Sequence, residues 1–155
     1  MSVKLFGLLL VFLFFTLIGF YQSYKLTRRR NNLGEILLFL NRMETNIRYR
    51  NDDIFTLVFE CAEDILVPLK NAVDIEGYNG EIQSLPLEKQ DKALLAKFFS
   101  GLGSTDIEGQ LSHIKLYTEL FNEQYEKSKE DIIKKSKLYR MLGLFSGLAF
   151  VVMFI

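Results

Sequence analysis

The stretch Gly101-Leu102-Gly103-Ser104-Thr105-Asp106-Ile107-Glu108-Gly109-Gln110 decides the reading of this chain, because a long helix starts from it. Thr105 followed three residues later by Glu108 is the pattern of a capping box, in which two side chains reciprocally satisfy N–H groups left open at a helix start. From there Ile107, Leu111, Ile114, Thr118, Phe121, Tyr125, Ser128 and Ile132 recur at alternating steps of four and three. That is a coiled-coil-like seam with polar members at Thr118 and Ser128. On the outer face Glu119 and Glu123 repel, whereas Glu123 with Lys127 and Glu130 with Lys134 attract at four-residue spacing. A basic collar (Lys134, Lys135, Lys137, Arg140) leads into an apolar run, Met141 to Ile155. One continuous helix from Asp106 fits all of this, with a length of about 75 Å. A small helical domain needs its longest seam for its own stability, so the seam is expected to close the domain core; the alternative is a face left for another protein.

The N-terminal region mirrors this arrangement. Leu5 to Tyr21 is apolar apart from Thr16 and two glycines, and approaches the length that spans a bilayer. Lys4 would suit the basic start of a signal peptide, but Gln22-Ser23-Tyr24-Lys25 offers no small-x-small cleavage site, so a retained anchor is expected. Lys25, Arg28, Arg29 and Arg30 follow the segment. With the second basic collar, they place the central domain on the cytoplasmic side by the positive-inside rule. The C-terminal segment is the weaker span: it reaches 18 residues only if counted from Leu138, which includes Arg140. The alternatives to a full crossing are a hairpin or shallow insertion, or packing against the first span. Gly143 and Gly147, four apart, permit close helix contact but are a weak motif.

Within 155 residues these ends leave room for one small core. Charge balances overall, but the stretch from Asn51 to Asp91 is strongly acidic and its flanks are basic. A nucleic-acid binder would concentrate positive charge on one face, so none is expected; basic collars at anionic lipid fit better. The one cysteine, Cys61, sits in an apolar helical pattern and reads as a small buried hydrophobe.

Between the ends the periodicity is helical. Asn31 or Asn32 is expected to cap a helix entering at Leu33, whose apolar face is Leu33, Ile36, Leu37, Leu40, Met43 and Ile47. Asn51-Asp52-Asp53 reads as a stop and a new cap, followed by Ile54, Leu57, Val58, Cys61 and Ile65. Pro68 and the stretch from Asn71 to Gly80 weaken the pattern. Gly77-Tyr78-Asn79-Gly80 reads as a turn, with Leu69, Val73 and Ile75 as material for a short helix. Pro86 suits a first helical turn, ahead of Leu87, Leu94, Leu95, Phe98 and Leu102. No stretch alternates apolar and polar residues as a strand would. The fold class is therefore all-α: a compact antiparallel helical bundle with N- and C-terminal transmembrane helices. The expected division is an anchor at 1–27, a cytoplasmic bundle at 28–137 and a second membrane segment at 138–155.

Catalytic constellations are missing. The single histidine, His113, lies beside apolar helix positions without evident acid–base or metal partners, and reads as structural. There is no phosphate-binding Gly-x-x-x-x-Gly-Lys loop. Gly101-x-Gly103 lacks the remainder of a dinucleotide fingerprint and is explained as a helix C-cap. Glu60, Glu63 and Asp64 are most simply one exposed helix face. No catalytic residue, cofactor site or metal site is expected, and the function is assembly rather than chemistry.

The run Leu102 to Gln110 resembles the Leu-Gly-x-x-Asp-x-x-x-Gln turn of the stage III sporulation protein AB family of endospore-forming bacteria. Lys137-Leu138-Tyr139-Arg140-Met141-Leu142-Gly143 and the apolar run through Gly147 follow at that family's distance. Leu40 to Tyr49, with Glu44 and Ile47-Arg48-Tyr49, is similar to an earlier Leu-x-x-x-Glu-x-x-Tyr pattern. Arg50-Asn51-Asp52-Asp53-Ile54 departs from the proline-containing entry expected next. The resemblance implies a cytoplasmic bundle similar to those of type II secretion and type IV pilus platform proteins. It also implies a place in the mother-cell half of the channel-like complex joining mother cell and forespore. The implied partners are a cytoplasmic ATPase and other stage III sporulation membrane proteins; a homo-oligomer is left open. A membrane-tethered scaffold or regulator outside any secretion-like machine is the alternative. Gly103, Asp106, Gln110 and Glu44 are the candidate interaction or structural motif. Arg28, Arg29, Arg30, Lys134, Lys135, Lys137 and Arg140 are the membrane-flanking basic set. Asp106 and Gln110, four apart on one face, serve either a partner or the helix start itself, with Asp106 sharing the cap and Gln110 bonding the adjacent loop.

Overall fold

A computed structural model describes residues 2–49, 53–72 and 74–154. Among these, every regular element is helical. In chain order they are α1 (Ser2–Tyr49), α2 (Ile54–Cys61), a 3₁₀ helix (Asp64–Asn71), α3 (Ile75–Ser84), α4 (Lys89–Ser100), α5 (Ile107–Asp131), a π-helical turn (Ile132–Ser136) and α6 (Lys137–Phe154). They form two compact units, Met1–Arg30 with Lys127–Ile155, and Asn31–Glu126.

The first unit is an antiparallel helical hairpin. Both of its helices belong to segments long and apolar enough to cross a membrane. Positions pair in opposite order along them: Ser23 bonds Ser136, Gly19 meets Tyr139 and Gly143, Phe15 meets Gly143, and Phe12 meets Gly147. The contact is backbone on backbone. A methyl group on Gly19 would come within 2.6 Å of the Tyr139 carbonyl oxygen, and one on Gly143 within 2.8 Å of the Phe15 oxygen. Glycine is required there because no side chain fits. The large side chains Phe6, Phe14, Leu17, Phe20, Phe145 and Val152 point outward and are exposed. The π-helical turn explains how the inner stripe stays in register. Ser128, Ile132, Ser136, Tyr139, Gly143 and Gly147 form this stripe, with steps of four, four, three, four and four. A regular α-helix would rotate such a stripe away, and a wide turn absorbs the excess.

The second unit is a bundle with a conventional core. Leu33, Ile36, Phe39, Leu40 and Met43 of α1 pack with Leu57, Val58 and Cys61 of α2, Tyr78 and Ile82 of α3, Leu95, Phe98 and Phe99 of α4, and Ile114 and Phe121 of α5. Aromatic rings organise its centre. Phe99 stacks on Tyr78 at 4.5 Å, and Phe98 meets Phe99 edge-on at 5.2 Å. Such pairs contribute about 0.5–1.5 kcal/mol each beyond burial. Ile114 and Phe121, with Leu111, Tyr117 and Tyr125 packed around them, show that the α5 seam closes this core.

Several local expectations are corrected. No cap forms at Asn31 or Asn32, since α1 runs through both. The stretch from Tyr21 to Leu33 holds no proline or glycine, and its lysine and arginines are good helix formers. Asn32 is instead buried and donates its amide to the Pro86 carbonyl at 2.7 Å. Pro86 therefore lies in a linker, and α4 begins only at Lys89. Gly77-Tyr78-Asn79-Gly80 is not a turn but the middle of α3. Asp74 caps that helix by accepting from Gly77 N at 2.6 Å, and burial of Tyr78 and Ile82 outweighs the weak propensity of two glycines. Leu69 falls in the 3₁₀ helix and Ile75 opens α3, so they share no short helix; Val73 lies outside the described residues. Asp53 caps α2 as expected, accepting from Phe55 N at 3.2 Å; Arg50, Asn51 and Asp52 lie outside the described residues. Glu60, Glu63 and Asp64 are exposed but share no helix face. Glu60 belongs to α2, Glu63 precedes the 3₁₀ helix, and Asp64 opens it with a left-handed backbone, φ 48°.

Candidate functional site: the glycine turn and the hollow beside it

The turn from Gly101 to Asp106 joins α4 to α5. Gly101 and Leu102 donate backwards to the Phe98 and Phe99 carbonyls, closing α4. Gly103 then takes φ +80°, a left-handed conformation that side-chain-bearing residues adopt at a cost. Ser104 ties the turn down by donating to the Gly101 carbonyl at 2.8 Å. His113 packs from the next helix: its Nε2 donates to the Phe98 carbonyl at 2.9 Å while its ring lies against Phe98 and Tyr117. The ring sits so close to Gly101 that a methyl group there would be 2.5 Å from Cε1. His113 is thus a structural clamp on the turn.

The start of α5 differs from the capping box. Asp106 makes the cap, accepting from Gly109 N at 3.0 Å, and the Gln110 N–H bonds the Asp106 carbonyl at 2.9 Å. The helix begins one residue later than that pattern requires, at Ile107, so Asp106 holds the cap position and Thr105 is left to another task. Its hydroxyl accepts from Gln110 Nε2 at 3.2 Å, which also lies 3.4 Å from the Thr105 carbonyl. Gln110 is buried, and its Oε1 has no hydrogen-bond partner. Asp106 itself is exposed. The pair therefore serves the helix start and adjacent loop, with one acceptor left over. Glu44 is elsewhere on α1, paired with Arg48 one turn on at 3.2 Å.

Gly103 and Leu102 also line a hollow of about 280 Å³, together with Ile54 and Phe55 of α2, Ile75 and Tyr78 of α3, Phe99, and Asp53 at the rim. A second hollow of about 380 Å³ shares Phe55 and Tyr78 and extends to Phe59, Leu69 and Lys70. Phe55 stacks on Tyr78 at 5.9 Å and stands between the two. Burial, with a smaller contribution from the Asp53 charge, pushes the Tyr78 hydroxyl up to about 12, so it stays protonated across the physiological range. Nearby, Arg42 pairs with Glu63. Glu35 is held above the ordinary carboxylate range, chiefly by burial and then by its hydrogen bond with Asp64. No group of histidine, cysteine and carboxylate residues suited to a metal ion occurs among the described residues.

The basic set is partly engaged within its own unit. Lys134 pairs with Glu130 at 2.8 Å and Lys135 with Asp131 at 2.7 Å. These partners hold both carboxylates below their usual range. Arg140 folds back onto Ser136, at 3.3 Å from its hydroxyl and 3.4 Å from its carbonyl. Arg28 and Lys137 are exposed, and Arg29 and Arg30 are half-buried. Sequence reasoning missed Gly19 as a packing position; Gly19 and Ser23, four apart, were its signal. It also missed the hollows, whose walls come from four separate helices.

The family model described as stage III sporulation protein AB matches the chain over residues 4–74 and 75–155. No curated protein and no solved structure matches it.

Proposed function

Because the chain belongs to the stage III sporulation protein AB family, we propose that it is a non-enzymatic membrane platform of the complex that joins mother cell and forespore, docking a cytoplasmic ATPase. The family match over both halves of the chain carries this reading. The hairpin supports it: two segments apolar enough to cross a membrane, tightly paired, make an anchor. The bundle lies at 31–126, and both of its connections to the hairpin are rich in basic residues, which favours the cytoplasmic side of the mother-cell membrane. The lone histidine is consumed by the turn, in keeping with a role in assembly.

The test is in-cell crosslinking of the full chain, combined with its deletion. A crosslink to the ATPase, or to membrane proteins of the same complex, with sporulation blocked on deletion, is the expected result. Crosslinks to signalling proteins alone, with channel components absent, would replace this reading with that of a tethered regulator.

A further inference from the structure

We propose that the paired hollows on α2 and α3 are a docking face for an apolar, positively charged segment of a partner protein. The face combines exposed apolar side chains with shape. Phe55, Phe59 and Ile75 are 38%, 57% and 42% exposed, although each lines a hollow. Large apolar groups left in water around concave surface mark interaction sites. The stacked pair Phe55 and Tyr78 divides the face, so it offers two adjacent sockets, as helix-in-groove recognition uses.

Charge selects the occupant. Asp53 stands on the rim of one hollow, and the exposed Asp74 and Glu76 flank Ile75. Lys70 is held over the Phe59 ring at 5.1 Å. An anionic lipid surface would be repelled by these carboxylates. A second copy of this face in a two-fold contact would set like charges opposite each other. A segment with apolar anchors and flanking lysine or arginine meets both the shape and the charge.

The biological setting rests on the platform reading, but the test separates the two. The full chain is placed in nanodiscs of neutral phosphatidylcholine. It is titrated against a labelled 18-residue amphipathic peptide carrying leucine and phenylalanine anchors and lysines, and against the same peptide with glutamates for lysines. The expected result is binding of the basic peptide at least tenfold tighter than of the acidic one. Phe59→Ser with Ile75→Ser should weaken it at least tenfold, and D53N with E76Q should weaken it severalfold and reduce its salt dependence. Asparagine keeps the α2 cap, and the unchanged melting of each variant confirms folding. Equal binding of both peptides, indifference to the apolar variants, or equal binding to empty nanodiscs overturns the proposal. In a second arm the purified ATPase replaces the peptide. Capture by the native chain and by the Phe59→Ser, Ile75→Ser variant alike overturns this face for the ATPase and leaves the platform reading standing. Failure of capture by the native chain counts against the platform reading, and the peptide arm then decides the face alone.

Discussion

The hairpin and the bundle are built by opposite rules from the same residue types. In the hairpin, glycines 19, 143 and 147 are inside, and Phe6, Phe14, Phe20 and Phe145 are outside. In the bundle, Phe39, Phe98, Phe99 and Phe121 are inside and the charged residues, Asp91 apart, lie towards the outside. The difference lies in the solvent each is made for. In water, burying a large apolar side chain is the main driving force. In lipid that gain vanishes, because hydrocarbon is as apolar as leucine, and close packing with interhelical hydrogen bonds takes over. The hairpin has both: touching backbones along the glycines, and the Ser23–Ser136 bond beside the π-helical turn. Glycine, a weak helix former in water, is therefore the key residue of one unit, and phenylalanine that of the other.

Breaking each rule tests the comparison. The largest effect is expected from Phe98→Ala, which opens a cavity where four rings meet Phe98. It should cost about 3–5 kcal/mol, read as a fall in the bundle's unfolding midpoint, with the hairpin intact. Gly19→Leu should do the reverse. A Cβ at Gly19 would lie 2.6 Å from the Tyr139 carbonyl oxygen, so the spans separate while the bundle melts unchanged. Disulfide trapping between cysteines placed at Phe15 and Phe150, whose rings lie 6.0 Å apart, should fall severalfold in a Cys61→Ala background. Undiminished trapping would show that glycine contact does not hold the hairpin.

Smaller changes sharpen the picture within the bundle. Asp106→Ala should cost about 1 kcal/mol through the lost cap, whereas Thr105→Ala should cost less, because Asp106 holds the cap. The reverse order of melting temperatures would restore the capping box. The least effect is expected from Asp64→Asn, and it depends on pH. A carboxyl whose pKa is raised by folding, as for Glu35, contributes stability below its unfolded pKa and loses it as pH rises through the folded value. The Glu35 contribution should grow as pH falls from neutral into the carboxylate range. Asparagine, equally at home in the left-handed backbone, should flatten that gain in paired melts at neutral and mildly acidic pH.

Periodicity located the α5 seam and the apolar face of α1, because a one-dimensional pattern of burial survives in the sequence, and residue type placed a cap within Asn51-Asp52-Asp53, where Asp53 provides it. Residue type failed at Asn32, at Pro86 and across Gly77 to Gly80, where local signals for caps and turns are genuine but weak. One buried hydrogen bond between residues 54 apart, from Asn32 to Pro86, and the burial of Tyr78 against Phe99 outweigh them. The glycine turn shows both sides. Its place in the chain, its left-handed Gly103 and its helix start follow from residue types and spacing. Which side chain caps α5 depended on where the helix starts, to within one residue.

The sequence by itself determined that this chain is helical, carries an apolar segment near each terminus, has an acidic middle and belongs to a sporulation family. Each of these is written in composition, period or residue order. Only the tertiary structure decided that Gly19 seats against Gly143, that a π-helical turn keeps the inner stripe aligned, and that the Gly103 turn lines a hollow walled by α2 and α3. Those features join residues far apart in the chain, and what selects them is steric fit between surfaces, which no local pattern records.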